Sequence, residues 1–461
     1  MKIKFLGATK NVTGSKFYIQ ADGKNILIDC GLFQERELKN RNWGKFPIPP
    51  ENIDYILLTH AHLDHSGYLP KIVKDGFSGK ILCSLPTLEI TKVALLDSAK
   101  LQVEDAEKKK KRHEKEGKKG PYPEIPLYDV EDVMNVFDLF QPVSYNKEVN
   151  LSKDIKVIFY KSGHILGSSF IKIITEGKEI VFSGDIGRKE SPILPNPDIL
   201  ESADILIMET TYGDRIHEKR EIAEEKLVDI INETNKKRGN IVIPTFAIER
   251  AQEILYYLKK LLLEDKIPHL LTFLDSPMAI EITEIFKKYL SYLDGEAEKL
   301  LKNKISPFDF PLLHLTKTVE ESKMINHIKG SVIIMAGSGM CTGGRIKHHL
   351  IKNIEREESS ILFVGYQAKG TLGREILEKH NVRILGNFYN VRARIEKIDG
   401  FSGHADRDEL LEWIYGFKKQ PENIFLVHGE ENVINTFSEI LRERYSKSKI
   451  IIPSYLDVFE L

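Results

Sequence analysis

Three histidines and an aspartate crowd the segment "LLTHAHLDHSG": His60, His62, Asp64 and His65 fall within six consecutive positions. Such groups are costly to bury without partners. Neutral imidazole and carboxylate suit zinc and other borderline divalent cations. Histidines at i and i+2 of an extended segment project to the same side. The following Asp and His turn towards a neighbouring position as the chain bends, so one short segment can serve two ions. Further donors stand downstream. His164 lies in "KSGHILGSS", where glycines let the backbone approach closely. Asp185 lies in "VFSGDIG", at a strand end where a carboxylate could bridge two ions. Alone, His164 reads as an ordinary histidine and Asp185 as a helix cap. Their occurrence together, in order and at strand ends, points to a metal site.

The elements that must position these groups are short strands. "KIKFLG", "SKFYIQ" and "NILIDCG" open the chain, with "ADGK" as an Asp-Gly hairpin turn between the last two. "DYILLTH", "KILCS", "KVIFYKSGH" and "EIVFSGD" follow. Asp29, His60, His164 and Asp185 stand at C-terminal ends of such runs, so residues distant in sequence can meet at one sheet edge. From about 205 the texture changes. "DILIMETTYG" is a buried strand ending in polar residues. A helical stripe at 222, 223, 227, 230 and 231 follows, and Gly239 is expected to end it. Strand and helix then alternate through "NIVIPTF", "HLLTFLDSP", "SVIIMAGSGMCTGG" and "SSILFVGYQAKGTLG", the pattern of a parallel α/β sheet. After about 390 come strands bearing histidines, "VRARIEKIDGFSGHAD" and "ENIFLVHGE". The charged run "KLQVEDAEKKKKRHEKEGKKG" reads as a solvated helix or loop, or else as a basic flap over an anionic substrate.

The bulk composition bounds the function. The 461 residues are 41% apolar and 29% charged, as in soluble globular proteins of two or three domains. A net charge of −1, from 67 basic and 68 acidic residues, does not indicate a general polyanion-binding surface. A nucleic-acid groove must then come from local clustering. Cys30, Cys83 and Cys341 lie far apart and form no CxxC pair, which argues against a disulfide framework or a Cys-rich zinc site. There is no signal-peptide pattern and no run approaching the ~20 apolar residues of a membrane span. The expectation is a cytoplasmic protein with no membrane partner.

HxHxDH, then a Gly-flanked His, then SGD, resembles the metallo-β-lactamase superfamily. Glu209 in "METTYG", His404 in "FSGHAD", His428 in "LVHGE" and the long insert before the last two resemble the β-CASP nucleases within it. That group includes the endonuclease subunit of the cleavage and polyadenylation specificity factor, its Integrator counterpart and RNase J. Read from the residues alone, Glu209 could cap a turn, His404 could cap the helix near "ADRDELLEW", and His428 could be a buried strand-end histidine. The resemblance implies more. The fold class would be α/β: a metallo-β-lactamase αββα sandwich with an inserted parallel α/β β-CASP domain. Residues 1–208 and 391–461 would form the two parts of the sandwich and 209–390 the insert. His60, His62, His164 and Asp185 would hold one zinc ion. Asp64, His65, Asp185 and His428 would hold a second. Asp29 of "LIDCG" would support the metal site from behind. His404, held by Glu209, would contact the scissile phosphate. A histidine at position 428 resembles the RNA-directed members.

Catalytic duty is thus expected of Asp29, Asp64, Glu209 and His404, with two Zn2+ ions as cofactors and single-stranded RNA as substrate. The loops "AGSGMCTGGRIKHH" and "GYQAKGTLGR" lead from strands into helices, whose starts bind phosphates well. Ser338, Gly339, Arg345, Lys347, His348, Lys369 and Arg374 are candidates for following an RNA backbone, and Arg250 of "TFAIERAQE" for the same cleft. The alternatives are tight turns with solvated basic residues, a small ester or thioester hydrolase on the same metal site, or an inactive RNA-binding subunit. The C-terminal "IIPSYLDVFEL" is expected either to pair in the sheet or to make a homodimer contact.

Overall fold

The computed structural model describes residues 1–117, 122–303, 305–367 and 370–461. The chain divides into two compact units. The first comprises Met1–Glu190, Pro195–Ile216 and His404–Leu461; the second comprises Ser191–Leu194 and His217–Gly403.

The first unit is a sandwich of two sheets, each seven-stranded among the described residues. One sheet runs, in spatial order, Val458–Glu460, Lys2–Phe5, Phe17–Ala21, Lys24–Ile28, Tyr55–Leu57, Lys80–Ser84 and Phe140–Val143. The other runs Lys449–Ile451, Asn423–Val427, Ile205–Glu209, Lys178–Phe182, Ser169–Thr175, Ile155–Lys161 and Val149–Asn150. Alternate apolar residues of both sheets interdigitate between them: Ile3, Phe5, Ile19, Ile28 and Leu57 meet Val157, Phe159, Ile171, Ile173, Phe182, Ile207 and Phe425. The outer faces are covered by helices. Leu69, Ile72, Leu95 and Val133 pack on the first sheet; Leu410, Trp413, Ile414 and Phe437 pack on the second. The layers are therefore αββα, as expected.

Local sequence accounts for the details. Asp22 and Gly23 both take positive φ, 45° and 68°, which the tight Asp-Gly hairpin turn requires. The charged run continues the helix Leu85–Glu116, which stops at Gly117 in the left-handed conformation; residues 118–120 of that run lie outside the described residues. The C-terminal segment pairs within its own chain. Lys449–Ile451 joins Asn423–Val427, and Val458–Glu460 lies antiparallel to Lys2–Phe5.

The second unit is built on a parallel sheet, six-stranded among the described residues, in the order Leu313–Leu315, Leu271–Asp275, Val332–Ala336, Ile241–Pro244, Ser360–Phe363, Arg394–Lys397. Both faces are apolar. Val242, Ile334, Ile361 and Phe363 pack with Ile346, Leu350 and Ile376, while the alternating Ile241, Ile243, Ile333, Met335 and Leu362 are equally buried on the other face. The helix Arg220–Lys236 ends before Gly239, with Arg238 rather than the glycine in the left-handed region. Gly239 serves close approach instead, since a Cβ there would lie 1.7 Å from the Glu358 carbonyl oxygen.

Candidate metal centre

The site lies wholly within the sandwich unit, on loops leaving the C-terminal ends of strands. His60 and His62 follow Tyr55–Leu57, His62 in extended backbone, and Asp64 and His65 lie in the single turn Leu63–Ser66. His164 follows Ile155–Lys161, Asp185 follows Lys178–Phe182, and His428 follows Asn423–Val427. The loops of His164 and Asp185 touch backbone to backbone: a Cβ on Gly187 would lie 2.0 Å from the Gly163 oxygen. Asp29 and His428 hold positive φ, 57° and 50°, a strained conformation for residues with a side chain.

Two donor groups converge. In the first, His62 Nδ1 lies 3.2 Å from both His60 Nε2 and His164 Nε2. Asp185 Oδ2 lies 3.3 Å from His60 Nε2 and 3.5 Å from His164 Nε2. In the second, His65 Nε2 lies 3.1 Å from His428 Nε2, and Asp64 Oδ2 lies 3.5 Å from His428 Nε2. Asp185 Oδ1 lies 3.3 Å from His65 Nε2. The two oxygens of Asp185 thus face different groups. Its Oδ1 is buried and accepts no hydrogen bond among the described residues.

These spacings fit a cation better than a hydrogen-bond network. Tetrahedral ligands at ~2.0–2.1 Å from zinc stand roughly 3.3 Å from one another. Burial holds His60 and His62 neutral, with pKa values pushed down to about 3 and about 4, and it lowers His164 well below its ordinary value. Neutral imidazole is the form a metal takes. Burial also opposes charge on His65 and His428. There the carboxylates prevail: Asp185 and Asp29 keep His65 well above the ordinary value, and Asp185 and Asp64 raise His428. A bound cation would take the place of those protons. Burial would raise the pKa of Asp185, but His428, His65 and His60 hold it well below the usual range.

The outward nitrogens of three of these imidazoles are engaged as well. Thr59 Oγ1 lies 3.0 Å from His60 Nδ1, Asp29 Oδ2 lies 2.7 Å from His65 Nδ1, and Thr211 Oγ1 lies 3.1 Å from His428 Nδ1. Such contacts fix the ring and its tautomer. Asp29 is itself held by the Thr59 N–H at 2.8 Å and hydroxyl at 2.9 Å. Thr59 and Thr211 were not singled out from the sequence. Their only local signal is adjacency, one residue before His60 and two after Glu209.

Beside the donors stands a second pair. His404 Nδ1 lies 3.3 Å from Glu209 Oε1. Glu209 is buried at the end of Ile205–Glu209 and also accepts from the Ile186 N–H at 2.7 Å and the Thr211 N–H at 3.2 Å. Burial works against charge on His404, but Glu209 outweighs it and lifts its pKa to about 9. The His404 and His164 rings are 4.3 Å apart between centroids.

The candidate substrate residues belong to the other unit. Ser338 and Gly339 lie in the loop after Val332–Ala336. Arg345 turns inward, donating to Asp275 Oδ1 at 2.6 Å and to the Thr316 and Lys317 carbonyls. Lys347 donates to the Thr342 carbonyl at 2.6 Å, and Arg374 pairs with Glu378 at 2.7 Å. Arg250 is buried and paired with Glu253. His348 is exposed, and Lys369 lies outside the described residues.

Comparison with known proteins agrees with this architecture. The metallo-beta-lactamase superfamily domain matches residues 18–211, the Beta-Casp domain 251–376, and a Zn-dependent metallo-hydrolase RNA specificity domain 389–453. Ribonuclease TTHA0252 of Thermus thermophilus is 36% identical over 96% of this chain and 96% of its own length. Among proteins of Methanocaldococcus jannaschii, an RNase J-like protein is 30% identical over 93% of this chain and 92% of its own. Transcription termination factor FttA of the same organism is 31% identical over 100% of this chain and 72% of its own. In fold, the chain matches a crystal structure of a protein of unknown function from Enterococcus faecalis V583, with a TM-score of 0.55 at 14% identity, covering 100% of this chain and 99% of that one. With these family matches in the expected order and that identity along nearly its whole length, the chain belongs to the β-CASP family of the metallo-β-lactamase superfamily.

Proposed function

We propose that the protein is a two-zinc ribonuclease that hydrolyses phosphodiester bonds of single-stranded RNA, cutting internally in preference to removing nucleotides from the 5′ end. The observation that carries this reading is Asp185, whose two oxygens each face a separate group of buried donors. RNA as substrate is supported by the ribonuclease relatives and by the RNA specificity domain match.

His60, His62, His164 and Asp185 would hold one ion, and Asp64, His65, His428 and Asp185 the other. When bound, the pair supplies a water acidified towards neutrality and positive charge for the phosphate oxygens. The chain's residues do the rest. Asp29, Thr59 and Thr211 orient the ligating rings. Glu209 positions His404 and keeps it protonated. With the water's proton released to solvent, its oxygen bonds to phosphorus as the P–O3′ bond breaks, and His404 gives its proton to the departing 3′ oxygen. The products carry a 3′-hydroxyl and a 5′-phosphate.

The test incubates the purified zinc-loaded protein with 5′-labelled linear RNA and with the same RNA circularised. Internal fragments and cutting of the circle are expected. Mononucleotides with an intact circle would make it a 5′ exonuclease. Turnover of a thioester with both RNAs intact would overturn the reading. His62→Ala is expected to lose metal, read by mass spectrometry, and activity, while its circular dichroism is unchanged.

A further inference from the structure

The central strand of the parallel sheet, Ile241–Pro244, leads directly into Thr245 and Phe246. Its two neighbours, Val332–Ala336 and Ser360–Phe363, end in the glycine-rich loops "GSGMCTGG" and "VGYQ". The Phe246 ring lies against both. A Cβ on Gly339 would fall 2.6 Å from the ring, and one on Gly365 would fall 3.2 Å from it. Neither glycine has a left-handed backbone, so what these positions supply is the missing side chain. Gln367, only 2% exposed, ties the two loops together by donating to the Gly339 carbonyl at 2.9 Å and the Gly365 carbonyl at 3.2 Å. Phe246 seated this way still keeps 36% exposure as a residue, and the neighbouring Tyr366 keeps 37%.

The chain leaves Ile241–Pro244 for Leu271–Asp275 on one side, but leaves Val332–Ala336 for Ser360–Phe363 on the other. Right-handed crossovers in opposite directions put the two connecting helices on opposite faces. The gap between these strand ends is thus a switch point, where open α/β sheets bind ligands. A flat apolar face, held still at such a point, matches the chemistry of an unpaired nucleobase. Every base offers a π face, so stacking tolerates any sequence. Bases inside a duplex have both faces covered.

We infer that Phe246, seated on Gly339 and Gly365, is a stacking platform for an unpaired base of the RNA, which rests on the ribonuclease reading above. The test measures binding of a fluorescent oligouridylate and of a blunt RNA duplex by anisotropy, for wild type and for Phe246→Ala, Phe246→Leu and Phe246→Trp. The Ala variant should bind the single strand about tenfold more weakly. Leu restores bulk without a π face and should not rescue. Trp should bind at least as well as wild type, and its emission should be quenched by the oligouridylate. Duplex binding should not change. Wild-type affinity in the Ala or Leu variant, with RNA still cleaved, overturns the platform alone. Rescue by Leu equal to that by Trp overturns it too, as a packing effect. A wild type that binds neither RNA overturns the ribonuclease reading together with it.

Discussion

Each imidazole proposed to hold a metal has two nitrogens, and the second one decides whether the first is ready for it. The motif HxHxDH was legible because its donors are local and of a rare density. The hydroxyls of Thr59 and Thr211 were not, since threonine is common and only the fold brings it onto a ring nitrogen. His404 is a similar case, because its carboxylate partner Glu209 lies 195 positions away and only the fold brings the two together. His404→Ala should keep both zinc ions and lose about 10²–10⁴ in rate, the size of a general-acid effect; loss of zinc from this variant would show the assignment to be wrong. The pH profile gives a sharper reading. A general acid works while protonated, so the rate falls as pH rises through the His404 pKa. Glu209 raises that pKa; Glu209→Gln should therefore move the alkaline limb to lower pH. An unmoved limb would assign it to another group.

The elements were readable where periodicity was strong, as in the alternation of strand and helix after residue 205. The destination of a polar side chain was less so. Arg345, expected on an RNA backbone, points into its own unit, where Asp275 at the end of Leu271–Asp275 gathers three donors: Arg345 at 2.6 Å, His349 at 2.6 Å and Ser322 at 2.5 Å. Sequence gives charge and position but not the buried acceptor that captures the charge. Asp275 is 0% exposed. Replacing it by Ala removes the acceptor shared by Arg345, His349 and Ser322, and losing a hydrogen bond to a charged group costs roughly 1.5–3 kcal/mol. Burial alone would raise the Asp275 pKa, but His349, Ser322 and Arg345 lower it below the usual value. Its contribution is therefore present above about pH 4 and lost as pH falls through the lowered pKa. Denaturant titration of Asp275→Ala should show this loss at neutral pH, with the gap to wild type closing in acid. A gap independent of pH would mean that packing, not charge, holds these elements.

At the scale of the molecule, the sandwich is one compact unit made from segments far apart in the chain, with the parallel sheet inserted between them. The order of motifs made this legible, because His404 and His428 complete a site begun at His60. The closeness of that completion was not, since it depends on the strand Asn423–Val427 lying parallel to Ile205–Glu209 across a register no local pattern dictates. Metal ions would tie these segments together. Both donor groups lie in the sandwich unit, so any folding energy from the ions belongs to that unit. An ion present at a thousand times its dissociation constant adds about 4 kcal/mol to the state that binds it. Chelation should therefore lower the stability of the sandwich and leave the parallel sheet as it was. Hydrogen exchange with and without chelator separates the two. Protection should fall around residues 58–66, 162–168, 183–188 and 427–429, where four loops would lose their shared ions. It should not change along Ile241–Pro244, Leu271–Asp275 and Val332–Ala336, which hold none of these donors. Loss along those three strands as well would place bound ions elsewhere than at Asp185.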